Sequence, residues 1–212
     1  MLVAFDFDGT LSDSEMTVLL GDRRGVADEM AAITDRAMND EIDYATSLRE
    51  RAALLEGLPE DEAAAAWDQV VLRDGASDVI DALRAAGHTV AILTGGFETG
   101  VEAALARAGT TVDTVVANRL PADGELTGEV EGPLVEGTKD DALERLATDR
   151  GVPIADTVAV GDGANDLPML AVAGLAVGFE PKPAVEPACD DVVASMPALL
   201  DLFAERGLVT PE

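Results

Sequence analysis

Only two of the 212 residues are lysines, Lys139 and Lys182, and cysteine, histidine, tryptophan and tyrosine occur once each. The single cysteine, Cys189, excludes an internal disulfide and fits a reducing cytoplasm, where it reads as an inert filler. Lone His88, next to a helix-ending glycine, has no neighbour in sequence that would make it a ligand or base. Positive charge is scarce: 14 Lys and Arg face 42 Asp and Glu, so 14 − 42 gives −28. A field of that sign repels nucleic acid and anionic bilayers, so neither is an expected partner. The acids are dispersed along the chain, which fits a surface adapted to concentrated salt better than an acidic binding tail. No basic segment followed by a long apolar stretch opens the chain. The longest apolar run, "MLAVAGLAVGF", is preceded by Pro168 and is roughly half the length a membrane span needs. The expectation is a cytoplasmic protein, monomer or homodimer, whose anionic ligands must find local positive charge.

What is present is 48% hydrophobic and patterned. Five short runs, "LVAFD", "TVAILTGG", "VDTVVANR", "TVAVGDG" and "LAVGF", read as buried parallel strands. Helical stretches such as "SDVIDALRAAG" and "TGVEAALARAG" lie between them and end in glycine. The alternation predicts an α/β fold with a doubly wound parallel sheet. Residues 14–74 break the rhythm with apolar residues at helical spacing, among them Val26, Met30, Ile33 and Ala37. They predict a small unit of three or four helices inserted after the first strand, so that 1–13 and 75–212 form the core domain and 14–74 a helical cap. A short β-hairpin excursion is predicted at "ANRLPADGELTGEVEG", around Asp123-Gly124.

Ligands of open α/β sheets sit beyond the carboxyl ends of the strands. Three polar clusters end strands here: Asp6 and Asp8, then Thr94-Gly95-Gly96, then "GDGAND" with Asp162, Asn165 and Asp166. Residues two apart in an extended chain face the same way, so Asp6 and Asp8 can share a site. Four carboxylates together need a compensating cation, and Mg²⁺ with a substrate phosphate suits an all-oxygen set. Thr94 and its glycines suit a phosphate cradle or a plain turn. Asp166 suits a helix cap. Lys139, at a helix start in a chain nearly without lysine, suits a phosphate or a solvated surface. "GPLVEGTK" ends in Thr-Lys where a P-loop has Lys-Thr, "GDGAND" lacks a third glycine, and Leu11 occupies the glycine position of a calcium loop.

In this order, "DFDGT", "LTGG", a later lysine and "GDGANDLPML" resemble the haloacid dehalogenase superfamily of phosphotransferases. Within it, "ITDRAMNDEIDYATSLRERAALLEGLP", "ANRLPADGELTGEVEG" and "TVAVGDGANDLPML" are similar to the phosphoserine phosphatases, the family of the last step of serine biosynthesis. The resemblance implies Asp6 as nucleophile forming an aspartyl phosphate, and Asp8 as general acid and then base. It implies Mg²⁺ on the Asp6 carboxylate, the Asp8 backbone carbonyl and Asp162. It implies phosphoryl contacts from Thr94, Gly95 and Lys139, with Asn165 facing the substrate and Asp166 bracing the metal shell or Lys139. Thr94 stands where the family more often has serine. Glu15 and Arg51 fall at its phosphoserine contacts, a carboxylate for the ammonium and a guanidinium for the carboxylate. Other small phosphomonoesters, such as phosphohomoserine or phosphoglycolate, and a non-catalytic module on the same fold are the competing expectations.

Overall fold

Six strands lie parallel in the order β3-β2-β1-β4-β5-β6. They are β1 Leu2–Phe5, β2 Thr89–Phe97, β3 Thr114–Asn118, β4 Thr157–Gly161, β5 Leu175–Phe179 and β6 Asp191–Val193. The computed structural model describes residues 1–38 and 41–210, so positions 39 and 40 of the helical stretch quoted above lie outside the described residues. The five strands read from the sequence are all present. β6 is not legible there: it is three residues on the sheet edge, too short to show a period.

The central strands are apolar on both faces because helices cover both. Val3 and Phe5 of β1 join one buried cluster and Leu2 and Ala4 the other. β1 sits between β2 and β4 in register, with Phe5 opposite Ile92 on one side and Val160 on the other. The chain runs from β1 through β2 to β3 at one edge, then crosses back to β4 on the other side of β1, so the strand order reverses there and a crevice opens beyond its carboxyl end.

Between β1 and α5 (Ala76–Ala85) come four helices: α1 Met16–Arg24, α2 Ala27–Met38, α3 Tyr44–Ala53 and α4 Glu60–Trp67. Local chemistry sets their ends. Asp43 caps α3 by accepting from the Thr46 N–H at 2.8 Å, and α1 stops at Gly25 with φ +75°. Their apolar sides run into the cluster on one face of the sheet, where Trp67 meets Phe97 edge-on at 5.8 Å. The expected hairpin at 119–131 is reduced to isolated antiparallel bridges, Arg119 with Glu131 and Ala122 with Leu126, around Gly124 at φ +77°. Part of its pairing goes elsewhere: the Gly57 N–H donates to the Leu126 carbonyl, and the Leu126 N–H to that of Leu58. The remaining helices are α6 Glu98–Ala108, α7 Lys139–Arg150, α8 Leu167–Val172 and α9 Met196–Glu205. Among the described residues no helix is long and apolar enough to cross a membrane.

Most of the ion pairs are exposed, for example Arg23–Glu62 and Arg107–Asp68, and the −28 net charge remains after every Lys and Arg is counted. Self-repulsion acts over about 10 Å at 0.1 M salt and about 3 Å at 1 M. The melting temperature is therefore expected to rise by roughly 10 °C or more between dilute and molar KCl. A flat profile in differential scanning fluorimetry would remove the salt-adapted reading of the surface.

Candidate active site

The carboxyl ends of β1, β2 and β4 deliver the three polar clusters to one crevice. Asp6 follows β1 directly and its N–H donates to the Val160 carbonyl at 2.9 Å, which fixes it beside β4. Lys139, the first residue of α7, is only 4% exposed, and its Nζ donates to Asp6 Oδ1 and to Asp166 Oδ1, each at 2.5 Å. The second oxygen of Asp166 accepts from the backbone N–H groups of Asp162 and Gly163, both at 2.9 Å. Asp166 thus caps its own turn and braces the lysine at once. A Cβ at Gly161 would lie 2.5 Å from the Asp166 carboxylate, so this approach requires glycine. Burial and the charge of Asp166 push the Asp6 carboxyl up, against the pull of Lys139. Burial would lower Lys139, but Asp166 and Asp6 outweigh it and keep the ammonium charged.

Asp6, Asp162 and Asp166 each bring a carboxylate oxygen within 4.8 Å of the others. Burial raises the Asp162 carboxyl, with the nearby Lys182 ammonium, 3.3 Å from its Oδ2, pulling the other way. Asp8 does not share this cluster. The strand ends at Phe5, the chain turns, and the Asp8 carboxylate lies against Gly96 and Thr94, where a Cβ at Gly96 would come within 2.6 Å of it. Burial first, then Asp6 and Glu15, hold the Asp8 carboxyl well above the usual range, and its Oδ1 is buried without a partner. Asp8 is thus set to hold its proton more readily than an ordinary carboxyl, the direction that a general acid needs.

Thr94 is buried, and its Oγ1 accepts from the Gly96 N–H at 2.9 Å, so its own hydroxyl hydrogen is left to donate. The Gly95 carbonyl is taken by Asn118 Nδ2 at 3.0 Å. A cavity of about 190 Å³ opens beside these groups, lined by Tyr44, Gly95, Thr138, Lys139, Asn165 and Pro168 among others.

A family model described as haloacid dehalogenase-like hydrolase matches residues 3–171. The phosphoserine phosphatase of Halobacterium salinarum is 59% identical over 208 residues, 98% of this chain and 99% of that one. That of Methanocaldococcus jannaschii is 39% identical, over 89% of this chain and 90% of its own. A solved phospho-aspartyl intermediate analogue of phosphoserine phosphatase superposes with a TM-score of 0.86 at 36% identity, covering 95% of this chain and 97% of that chain. The chain belongs to the haloacid dehalogenase-like hydrolases, in their phosphoserine phosphatase branch.

Phosphatases of this family depend on a metal, and the residues here fit one. Three clustered carboxylates, one of them held in place by the Asp166-braced turn, form a hard all-oxygen donor set. Gly9, at φ +91°, lets the Asp8–Gly9 backbone approach Asp162 so closely that a Cβ there would meet its carboxylate at 2.6 Å. Glu15 and Arg51 belong to the segment between β1 and α5. Glu15 is exposed just before α1, near enough to Asp8 to influence it. Half-buried Arg51, in α3, donates to the Ser47 carbonyl at 3.3 Å and to Thr17 Oγ1 at 3.4 Å. Among the described residues the two form no ion pair with each other. Lone His88 is structural, with Nε2 against the Leu208 carbonyl at 2.7 Å, and burial raises the Cys189 thiol.

Tyr44 is a site residue that the sequence does not disclose. The residue is 39% exposed, yet its hydroxyl end reaches over Gly95, where a Cβ would overlap it. Burial raises the phenol, with Lys139 and Arg51 opposing. The only hint is a lone tyrosine at a capped helix start, beside Asp43.

Proposed function

We propose that this chain hydrolyses O-phosphoserine to serine and phosphate through an aspartyl phosphate on Asp6, with Mg²⁺ as the metal. The observation that carries the reading is a buried Asp6–Lys139–Asp166 network at one crevice with Asp8, whose buried Oδ1 has no partner, on a chain matched end to end by phosphoserine phosphatases.

Asp6 Oδ attacks phosphorus while the bond from phosphorus to the serine oxygen breaks, and Asp8 gives its proton to that oxygen. Serine leaves. Asp8, now ionised, takes a proton from water as the water oxygen attacks phosphorus. The bond from phosphorus to Asp6 breaks, and phosphate leaves with both aspartates restored. Thr94, the Gly95 N–H and Lys139 hold the phosphoryl oxygens, and Asn165 faces the same cavity. The Asp6 carboxylate, the Asp8 backbone carbonyl and Asp162 would hold Mg²⁺, with Asp166 bracing this shell; when bound, the ion would offset the repulsion between a carboxylate and a phosphate. Residues 14–74 act as a cap over a core of 1–13 and 75–212, and Tyr44 closes the mouth of the site from that side.

Glu15 and Arg51 assign the substrate: a carboxylate for the ammonium and a guanidinium for the carboxylate, a pair phosphoglycolate does not need. Losing one partner of such an enclosed charge pair costs about 2–5 kcal/mol. Arg51→Ala is therefore expected to lower kcat/KM for phosphoserine by roughly 30-fold to several thousand-fold, and to leave p-nitrophenyl phosphate much less affected. Steady-state assays on both substrates, with and without EDTA, test this. Equal losses, or none on phosphoserine, would reopen the substrate assignment, and metal-independent turnover would remove the metal.

A further inference from the structure

Arg73 lies outside every motif named above, at the return from the inserted helices to the core, yet two contacts tie it to the turn that carries Asp8 and two hold it from the end of β5. Its N–H donates to the Leu11 carbonyl at 2.8 Å, and its Nη2 to the Gly9 carbonyl at 3.1 Å. Its Nη1 pairs with Glu180 Oε2 at 3.1 Å, and its guanidinium lies over the buried Phe179 ring, 5.1 Å from the centroid. Cation, ring face and carboxylate together restrict a side chain that would otherwise sample many rotamers. Glu180 is the one non-glycine among the described residues with positive φ, at +43°. Such a backbone persists only where its surroundings hold it, and here the carboxylate it presents is the one that orients Arg73.

The turn itself is short and closed. The Gly9 N–H donates to the Ser12 carbonyl at 2.8 Å, and the Ser12 N–H to that of Phe7 at 2.9 Å. Ser12 Oγ donates to the Val71 carbonyl at 2.7 Å, so both connections to the helical insertion meet at this turn. On its other side Gly9 abuts Asp162. Arg73 is thus the side chain that holds the Gly9 carbonyl of this turn, while the Cβ side of Gly9 faces Asp162.

We propose that Arg73 is a positioning residue for Asp8, holding the Gly9 carbonyl so that the Asp8 carboxyl points at the leaving oxygen. The proposal rests on the reading of Asp8 as general acid. A misplaced acid costs most when the leaving group is basic and needs the proton, and least when it departs unaided. The readout is kcat/KM across a series of substituted phenyl phosphates, from phenyl to p-nitrophenyl. None carries the amino-acid groups that Glu15 and Arg51 would bind, and kcat/KM stops at leaving-group departure, before water attack. Asp8→Asn, Arg73→Ala, Arg73→Lys and Glu180→Gln are compared with the parent, with circular dichroism melts of each.

Arg73→Ala is expected to lose roughly tenfold or more on phenyl phosphate beyond any loss on p-nitrophenyl phosphate, steepening the dependence on leaving-group basicity. Asp8→Asn shows the same steepening more strongly, while Arg73→Lys and Glu180→Gln fall between parent and Arg73→Ala. A general loss of structure would lower all substrates alike. If Asp8→Asn steepens the dependence and the Arg73 and Glu180 variants do not, the positioning role is overturned and the general-acid reading stands. If Asp8→Asn leaves the slope unchanged, both fall. Should Arg73→Ala fail to fold, the two conservative variants decide by the same slope.

Discussion

Asp6→Asn is expected to fold and to release phosphate from phosphoserine at less than about one ten-thousandth of the parent rate, the scale on which loss of a covalent nucleophile acts. The amide has the shape of the carboxylate but not its nucleophilicity, and it gives up the charge a metal would bind. The fold survives because the asparagine oxygen can still accept from Lys139 Nζ, now 2.5 Å from Asp6 Oδ1. The substitution also removes one negative charge from a buried group in which Asp166 and Asp162 already raise the Asp6 carboxyl. The melting temperature of the variant is expected at or above that of the parent. Malachite-green assays give the rate, and rapid-quench intact-mass spectrometry gives the intermediate: the parent gains one phosphoryl group, the variant none. Residual turnover above about one hundredth of the parent, in protein whose mass confirms the amide, would sink the covalent route.

Most of this site is legible from the ends of the apolar runs. Asp6, Thr94 and Asp162 sit where those runs stop, and parallel topology carries such stops to one edge. Lys139 stands out because the chain almost lacks lysine. The turn after Phe5 is not legible, because period-2 reasoning continues a strand past its end; it does not disclose that the Asp8 carboxylate lies against Gly96. Asp166 reads as a cap from local sequence, and its contact with Lys139, 27 residues away, is a product of tertiary structure. Arg73 and Glu180 are ordinary charges in sequence. Their pairing, and the positive φ of Glu180, exist only because β5 ends beside the return from the helical insertion. Sequence shows which residues end elements, whereas which oxygen a side chain turns toward is decided between elements far apart in the chain.

Lys139→Met separates the two duties of the buried cation. Lys139 is 4% exposed, and its loss strands Asp6 and Asp166, themselves 3% and 0% exposed. Removing one partner of a buried ion pair costs about 3–5 kcal/mol, which for a chain of this size lowers the melting temperature by roughly 6–20 °C. On the phosphoryl contact proposed for Lys139, turnover is expected to fall by at least about a hundredfold. The double variant Lys139→Met with Asp166→Asn tells charge from shape. The asparagine oxygen can still accept from the Asp162 and Gly163 N–H groups, which Asp166 Oδ2 now receives at 2.9 Å, while its amide faces the space the ammonium held and can donate to Asp6. The double variant should therefore melt above Lys139→Met, a positive coupling between contacting sites, and yet remain as inactive. Calorimetry in EDTA and in excess Mg²⁺ measures the stability, and phosphate release measures the activity. A melting temperature for Lys139→Met within about 2 °C of the parent would mean the network contributes little to the fold. Recovery of turnover in the double variant would mean that Lys139 serves only to balance Asp166 and does not touch the phosphoryl group.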